Sequence, residues 1–139
     1  MRIAVIDGQG GGIGKAIVEK LRQSFGDAID ILALGTNAMA TSFMLKAGAN
    51  EGASGENAIV VNASKVEAII GTIGIITANA MLGEITPAMA KVIGESPAKK
   101  ILLPLNKCNI AVAGTRAEPL PHSIDSAIEI LTKYMKGEL

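Results

Sequence analysis

The residues best suited to chemistry lie in one glycine-rich segment near the N-terminus. Five glycines occur within seven residues of the segment Asp7-Gly8-Gln9-Gly10-Gly11-Gly12-Ile13-Gly14-Lys15. Glycine tolerates positive φ and lets a ligand approach the backbone closely. A helix that begins near Gly12 would offer unpaired N–H groups and a positive dipole end to an anion. We call residues 8–14 the glycine loop and predict that it binds a phosphate, with Lys15 adding a positive charge.

The spacing of these glycines favours a nucleotide-binding loop. Gly8, Gly12 and Gly14 fit the pattern G-x-x-x-G-x-G of short-chain dehydrogenases, whereas Ile13 breaks the stricter G-x-G-x-x-G that starts at Gly8. Such a pattern is informative when it lies between a strand and an amphipathic helix, which is the context expected here. The alternative is a tight strand-to-helix turn without a ligand. The cofactor stays open between NAD(P) and another nucleotide.

Residues 11–15, Gly-Gly-Ile-Gly-Lys, also resemble the deviant Walker loop of the ParA- and MinD-type ATPases. That loop has a Ser or Thr for magnesium where this chain has Ala16, and a leading Lys where it has Gly10. Phosphoryl transfer in such enzymes depends on the metal ion. An ATPase of this type is therefore the less favoured alternative.

The dinucleotide hypothesis lacks two features. The second strand should end in an acid that holds the adenosine ribose, but the chain has Gly35-Thr36-Asn37, which either bonds a ribose or base or caps the next helix. Asp7 would repel a bare pyrophosphate unless hydrogen bonds or a cation offset its charge. The Tyr-x-x-x-Lys pair of short-chain dehydrogenases is also missing, since Glu138 follows Tyr134 at that distance. We do not expect a complete dehydrogenase, and whether any catalysis follows binding stays open.

Hydrophobic periodicity predicts an α/β fold. Residues 2–7 form an apolar run typical of a strand covered on both faces. A helix follows whose apolar stripe is Ile13, Ile17, Leu21 and Phe25. Residues 30–34 are a second strand, and Asn37 is a good N-cap for a second helix. We predict one Rossmann-like three-layer domain over residues 1–139, with a mostly parallel sheet and, as an option, an antiparallel edge strand.

The next part of the chain is less regular. Residues 50–57 are polar and glycine-rich and are predicted as a loop, with a short flanking strand as an option. Residues 58–63 are helix or strand, because six apolar residues reveal no period. Residues 68–70 are predicted as a central strand, and Thr86 before Pro87 predicts a helix start.

Two strands and a helix are predicted toward the C-terminus. Residues 100–103 form one strand, which Pro104 stops. Residues 109–113 form another, close enough to be its antiparallel hairpin partner. Ser123 is the predicted N-cap of the last helix.

Ligands of doubly wound sheets bind beyond the carboxyl ends of the strands. That rule collects the glycine loop, residues 35–37, 71–74 and 104–109, with Thr77, Asn79 and Glu84 close by. The predicted cofactor-binding residues are Asp7, Gly8, Gln9, Gly10, Gly11, Gly12, Ile13, Gly14, Lys15, Gly35, Thr36, Asn37, Gly74 and Asn79.

No catalytic residue is assigned, but some are candidates. Glu84 or Asp7 could act as a general base, and Lys107 could hold an anion. Cys108 could be an activated thiol. Each has an ordinary alternative, namely a cap, a turn, a solvated charge or a small buried thiol.

Composition limits the partners and the compartment. The chain has 139 residues, with 13 basic and 13 acidic side chains and no net charge, which argues against nucleic-acid binding. The longest uncharged stretch, residues 68–83, is shorter than the about 20 residues of a spanning helix. His122 has no metal ligand at suitable spacing, so no metal is expected. We expect a cytoplasmic protein with a small phosphorylated or nucleotide ligand and no membrane contact.

Two other functions remain open from the sequence. One is a non-catalytic interaction or structural role, in which the loop is only a turn and an apolar face forms a homodimer. The other is a small-ligand enzyme that works through Glu84 and Lys107.

Segments spread over the chain, residues 3–15, 33–38, 47–49, 55–58, 73–76, 78–79, 81–89 and 104–109, carry a family resemblance. Through them the sequence resembles a family of small bacterial proteins, mostly from Firmicutes, known as a domain of unknown function. The resemblance implies a Rossmann-like fold. It implies no activity, and so it transfers no catalytic residues.

Overall fold

A sheet of five parallel strands forms the centre of the computed structural model, which describes residues 1–105 and 109–139. The strands are β1 (Arg2–Asp7), β2 (Asp30–Gly35), β3 (Glu51–Ser54), β4 (Ala68–Thr72) and β5 (Lys99–Leu103). Their order is β3-β2-β1-β4-β5, and each neighbouring pair is parallel. The chain therefore builds outward from β1 on one side, then crosses to β4 and builds outward on the other.

Helices cover both faces of this sheet. They are α1 (Gly12–Phe25), α2 (Ala38–Lys46), α3 (Glu56–Asn62), α4 (Pro87–Glu95) and α5 (Leu120–Met135). Alternate residues of a strand point to opposite faces. Val5 of β1 packs in the core that contains α1 and α5, whereas Ile6 packs in the core that contains α3 and α4. The doubly wound, three-layer α/β fold is thus confirmed, and β1 is apolar from Ile3 to Ile6 because both of its faces are buried.

The helix caps show why the local predictions succeeded. The Asn37 side chain accepts a hydrogen bond from the N–H of Ala40 at 2.8 Å and so caps α2, as predicted. Gly26 follows α1 with a φ of 55°, which glycine adopts easily. Thr86 caps α4, and Pro87 is its first residue.

Two predictions in the C-terminal part are wrong. Residues 109–113 form no strand, so no antiparallel edge strand exists in the described ranges. Asn109 has a φ of 54°, outside the extended region, and the apolar side chain of Val112 is 40% exposed. The last helix begins at Leu120 rather than after Ser123. It can start earlier because Pro121 lies in the first turn, where a backbone N–H is not needed.

The structure decides two segments for which the sequence left alternatives. Residues 58–62 belong to helix α3, which buries Ile59. The predicted loop at 50–57 contains β3, an edge strand that pairs only with β2 among the described strands. An edge strand has one sheet neighbour and exposed side chains, so it needs no apolar run. In the described ranges, none of the helices combines the length and apolarity that crossing a membrane requires.

We predict that Thr86→Ala lowers the free energy of unfolding by about 1 kcal/mol. The Thr86 hydroxyl oxygen accepts the N–H of Met89 at 3.1 Å, and alanine would leave this donor without its cap. Urea denaturation measures the effect. Thr86→Ser is the matched control, since serine keeps the hydroxyl; an equal loss in both variants would contradict the capping role.

Candidate functional site

A cavity of about 680 Å³ lies beyond the carboxyl ends of β1 and β4. It is lined by Asp7, Gly8, Gln9, Gly10, Gly11, Gly12, Ile13, Thr72, Gly74, Met81, Leu82 and Leu120. β1 and β4 are the neighbouring strands at which the direction of sheet building reverses, and doubly wound sheets bind ligands at this point. The volume is in the range of small-molecule sites, roughly 300–1,000 Å³.

The buried Asp7 side chain determines the shape of the glycine loop. Its Oδ1 accepts the N–H of Gly8 at 2.8 Å, and its Oδ2 accepts the N–H of Gly14 at 2.6 Å. Gly14 is the third residue of α1, so Asp7 takes one of the N-terminal donors of the helix. Asp7, the residue expected to repel phosphate, therefore accepts hydrogen bonds from backbone donors. The dipoles of these donors offset part of its negative charge.

The other donors at the start of α1 belong to the cavity wall. Gly12 and Ile13 are the first two residues of α1, and both line the cavity. N–H groups at these positions have no acceptor within the helix. In the described part of the chain, neither donates a hydrogen bond to another residue. These two groups are available to a ligand anion.

Two of the loop glycines are required by the fold. Gly11 has a φ of 74°, and a Cβ there would lie 2.7 Å from the Cα of Ala40. A Cβ at Gly14 would lie 2.7 Å from the Sδ of Met44 and 2.8 Å from the Cβ of Asp7. Such distances are too short for non-bonded atoms, so any larger residue would displace its neighbours.

Gly10 and Gly12 differ from these. A Cβ at either position would meet no atom within 4 Å. Neither residue has a φ in the left-handed region. Packing and backbone conformation therefore require glycine at neither position, although both residues line the cavity.

The Glu84 carboxylate joins three segments beside the loop. Its Oε1 accepts the N–H of Gln9 at 2.9 Å, the hydroxyl of Thr36 at 2.6 Å and the amide of Asn37 at 2.9 Å. The Thr36 hydroxyl is the main cause that lowers the pKa of Glu84 below 4.5; burial opposes it, and Gln9 and Asn37 contribute further. Glu84 is therefore charged at neutral pH, and its lowered pKa makes it a weak base, which disfavours a role as general base.

The turn that carries Glu84 also covers Gly8. A Cβ at Gly8 would lie 2.5 Å from the Oγ1 of Thr36, 2.8 Å from the Sδ of Met81 and 3.2 Å from the Oε1 of Glu84. Met81 and Glu84 thus fill the space between the loop and the end of β2. In this turn Met81 and Leu82 have φ values of 58° and 56°, and Leu82 is 98% exposed. Unfavourable backbone of this kind concentrates at functional sites.

The structure brings only part of the predicted cofactor set together. Residues 7–13 and Gly74 line the cavity. The other predicted residues lie outside its wall, namely Gly14, Lys15, Gly35, Thr36, Asn37 and Asn79. Lys15 extends along α1, where its Nζ lies 3.9 Å from Glu19. Lys107 and Cys108 lie outside the described residues.

Four lining residues were absent from the predicted set. Thr72 ends β4, so the strand-end rule does indicate it. The sequence gives no signal for Met81 and Leu82, which lie in a turn, or for Leu120, which starts α5 more than a hundred positions after the loop. No group of three or more His, Cys, Asp or Glu side chains that could hold a metal occurs among the described residues.

Gly14→Ala and Gly12→Ala should affect stability differently, although they add the same methyl group two positions apart. We expect Gly14→Ala to lower the free energy of unfolding by about 1–3 kcal/mol, because the new Cβ meets Asp7 and Met44. Gly12→Ala should leave it unchanged or slightly higher. Chemical denaturation of both variants tests this prediction. An equal loss of unfolding free energy in the two variants would contradict the conclusion that packing requires glycine at position 14 but not at position 12.

The stability of Glu84→Gln should depend on pH in a defined direction. The folded-state pKa lies below 4.5, so the charged carboxylate stabilises the fold above that pH, and the contribution is lost as pH falls through the lowered pKa. We expect Glu84→Gln to be less stable than the unsubstituted protein at neutral pH, with the difference narrowing in acid.

Urea denaturation over a pH series measures this difference. Glu118→Gln is the charge-matched control, because Glu118 is exposed and its replacement should change stability little at neutral pH. A difference for Glu84→Gln that stays constant into acid would contradict the assigned hydrogen bonds.

Solved structures that align with most of this chain have low sequence identity to it. An FMN-dependent UbiX-like decarboxylase from Escherichia coli O157:H7 is 15% identical with a TM-score of 0.46, over 96% of this chain and 76% of that chain. A proposed alcohol dehydrogenase from Thermotoga maritima is 11% identical with a TM-score of 0.42, over 94% of this chain and 36% of that chain. A proposed NADPH:quinone reductase from Bacillus thuringiensis is 14% identical with a TM-score of 0.42, over 99% and 46%. The chain spans less than half the length of the last two.

The family comparison is specific. No curated protein matches the sequence. One family model, described as "Domain of unknown function (DUF3842)", matches residues 2–136. That range runs from the first strand into the turn after the last helix and contains the whole cavity wall. The protein therefore belongs to the DUF3842 family.

Proposed function

We propose that this protein binds a nucleotide or a related phosphorylated small molecule in the cavity, with the phosphate against residues 10–13. The observation that carries the proposal is that Gly10 and Gly12 line the cavity although the fold requires glycine at neither position. Replacing glycine by alanine where the folded backbone accepts a side chain stabilises a protein by about 0.4–1 kcal/mol. A ligand that must approach the bare backbone would account for glycine at these two positions.

The electrostatics of the loop support an anionic group. Gly12 and Ile13 have N–H donors that no described residue occupies, and they lie at the positive end of the α1 dipole. No acidic side chain is present in the first turn of α1. The nearby Asp7 has both of its oxygens engaged by backbone N–H groups. An incoming phosphate would therefore meet donors before it meets a competing carboxylate.

The rest of the wall suits the organic part of such a ligand. Its larger side chains, Ile13, Met81, Leu82 and Leu120, are apolar. Thr72 adds a hydroxyl at the end of β4. The oxygen of this hydroxyl also accepts the N–H of Gly74 at 3.3 Å. Apolar walls with a few placed polar groups are typical of small-molecule sites.

The proposal stops at binding. A catalytic role would need a base or a charged clamp at the cavity, and the lowered pKa of Glu84 makes it a weak base. Lys107 lies outside the described residues, and the homodimer stays a prediction. The favoured role is therefore that of a sensor, a carrier or the binding part of a small enzyme.

Gly12→Ala should remove ligand binding while the fold stays intact. A thermal-shift panel of NAD, NADP, ATP, AMP and CoA should contain at least one compound that raises the Tm of the unsubstituted protein. The added methyl group would occupy the place of the phosphate, so the Gly12→Ala variant should lose that rise. We expect its affinity to fall by at least about tenfold, equivalent to about 1.4 kcal/mol.

Gly94→Ala is the matched control for this experiment. Gly94 is also helical, and a Cβ there also meets no atom within 4 Å, but the residue is in α4 and does not line the cavity. This variant should respond to the ligand as the unsubstituted protein does. No response to any compound, or an unchanged response in Gly12→Ala, would contradict the proposed function.

A further inference from the structure

We infer that the phosphate bound in this cavity is a terminal group of its ligand, so that the ligand is a phosphate monoester such as a mononucleotide and not a dinucleotide. This inference rests on the proposed function and narrows its ligand class. It depends on which sides of the glycine loop are open and which are filled by the protein itself.

A dinucleotide needs space on both sides of such a loop. Its pyrophosphate crosses the glycines, its adenosine ribose lies beside the end of the second strand, and its other half extends to the opposite side. Here the second strand is β2, and the segment after it is Thr36-Asn37. The ribose of a dinucleotide bound in this way would therefore lie between Gly8 and Thr36.

That space is already filled. The Sδ of Met81 and the Oε1 of Glu84 lie 2.8 and 3.2 Å from the position of a Cβ on Gly8. Even a single methyl carbon on Gly8 would therefore meet these two side chains, and a ribose would have to displace both of them. The protein has placed two of its own side chains where the adenosine half of a dinucleotide would begin.

The polar groups at the end of β2 are also engaged. The Thr36 hydroxyl and the Asn37 amide donate to Glu84 at 2.6 and 2.9 Å. A ribose would have to displace a carboxylate that accepts three hydrogen bonds, including one from the N–H of Gln9. Because Glu84 is charged at neutral pH, it would also repel the 2′-phosphate of NADP.

Among residues 1–105 and 109–139, nothing fills the opposite side of the loop. The cavity extends from Gly10 and Gly12 toward Thr72, Gly74 and Leu120, and no residue of the segment after β2 lines it. In the part of the chain that the structure describes, a bound ligand therefore extends from the phosphate site toward β4 and not toward β2, and its phosphate is an end of the molecule. A terminal phosphate carries a charge of about −1.5 to −2 near neutral pH, more than each phosphate of a dinucleotide, and so suits the N-terminus of α1 better.

Calorimetric titration with dinucleotides and their halves tests the inference. NAD contains AMP and nicotinamide mononucleotide, and FAD contains AMP and FMN, so each half keeps its own nucleoside and ends in the phosphate that the dinucleotide uses as a bridge. We expect at least one mononucleotide to bind at least about tenfold more tightly than the dinucleotide that contains it. Gly12→Ala should weaken that binding and Gly94→Ala should not.

The outcomes separate this inference from the function on which it rests. If NAD or FAD binds as tightly as its halves, in a manner sensitive to Gly12→Ala, the inference is overturned and the proposed function stands. If none of the five compounds binds, the inference is overturned, and the proposed function falls with it when no compound of the thermal-shift panel binds either.

Glu84→Ala provides a second test on the blocked side of the loop. Removal of this side chain should raise the affinity for the dinucleotide relative to that for its mononucleotide, whereas Glu118→Ala should leave the ratio unchanged. An unchanged ratio in the Glu84 variant, with its fold verified by circular dichroism, would overturn the assignment of Glu84 as the group that excludes the ribose.

Discussion

Two hydrogen bonds from backbone N–H groups to the buried Asp7 side chain attach the end of β1 to the start of α1. Their donors are Gly8 and Gly14, which lie on either side of the loop. The arrangement requires glycine at position 14, because a Cβ there would lie 2.8 Å from the Cβ of Asp7. It also takes the third N–H of the helix, so a ligand anion is limited to the first two. Strand, loop and helix together thus determine the location of the proposed binding site.

The order of the strands then gives the loop two unequal sides. β1 lies between β2 and β4, and side chains could in principle leave a crevice on either side. The turn that contains Glu84 packs over the β2 side and bonds Thr36 and Asn37 there. The β4 side stays open as the cavity. Under the proposed function, a turn outside the glycine motif would set the ligand preference of a common fold, and the same glycine spacing in another chain need not imply the same ligand.

The sequence predicts the β1–α1–β2–α2 unit well because its signals are local. The apolar run of β1 and the Asn37 cap each depend on neighbours a few residues away. The edge strand β3 is predicted only as an optional short strand beside a loop, because it has no buried face that would give it an apolar pattern. The prediction of a strand at residues 109–113 is wrong because an apolar run has strand propensity even where it does not pair with the edge of a sheet. The bond between Glu84 and Thr36 joins residues 48 positions apart, and no periodicity encodes it.

The most direct test of the account is an amide NMR titration of the protein with inorganic phosphate, the simplest terminal phosphate. We expect the largest shift changes at Gly12 and Ile13, whose N–H groups are the two donors proposed to hold the anion. The amide of Gly94, in a helix away from the cavity, should not respond. Shift changes confined to other parts of the surface, with none at Gly10 to Ile13, would contradict the central claim that this loop holds a phosphate.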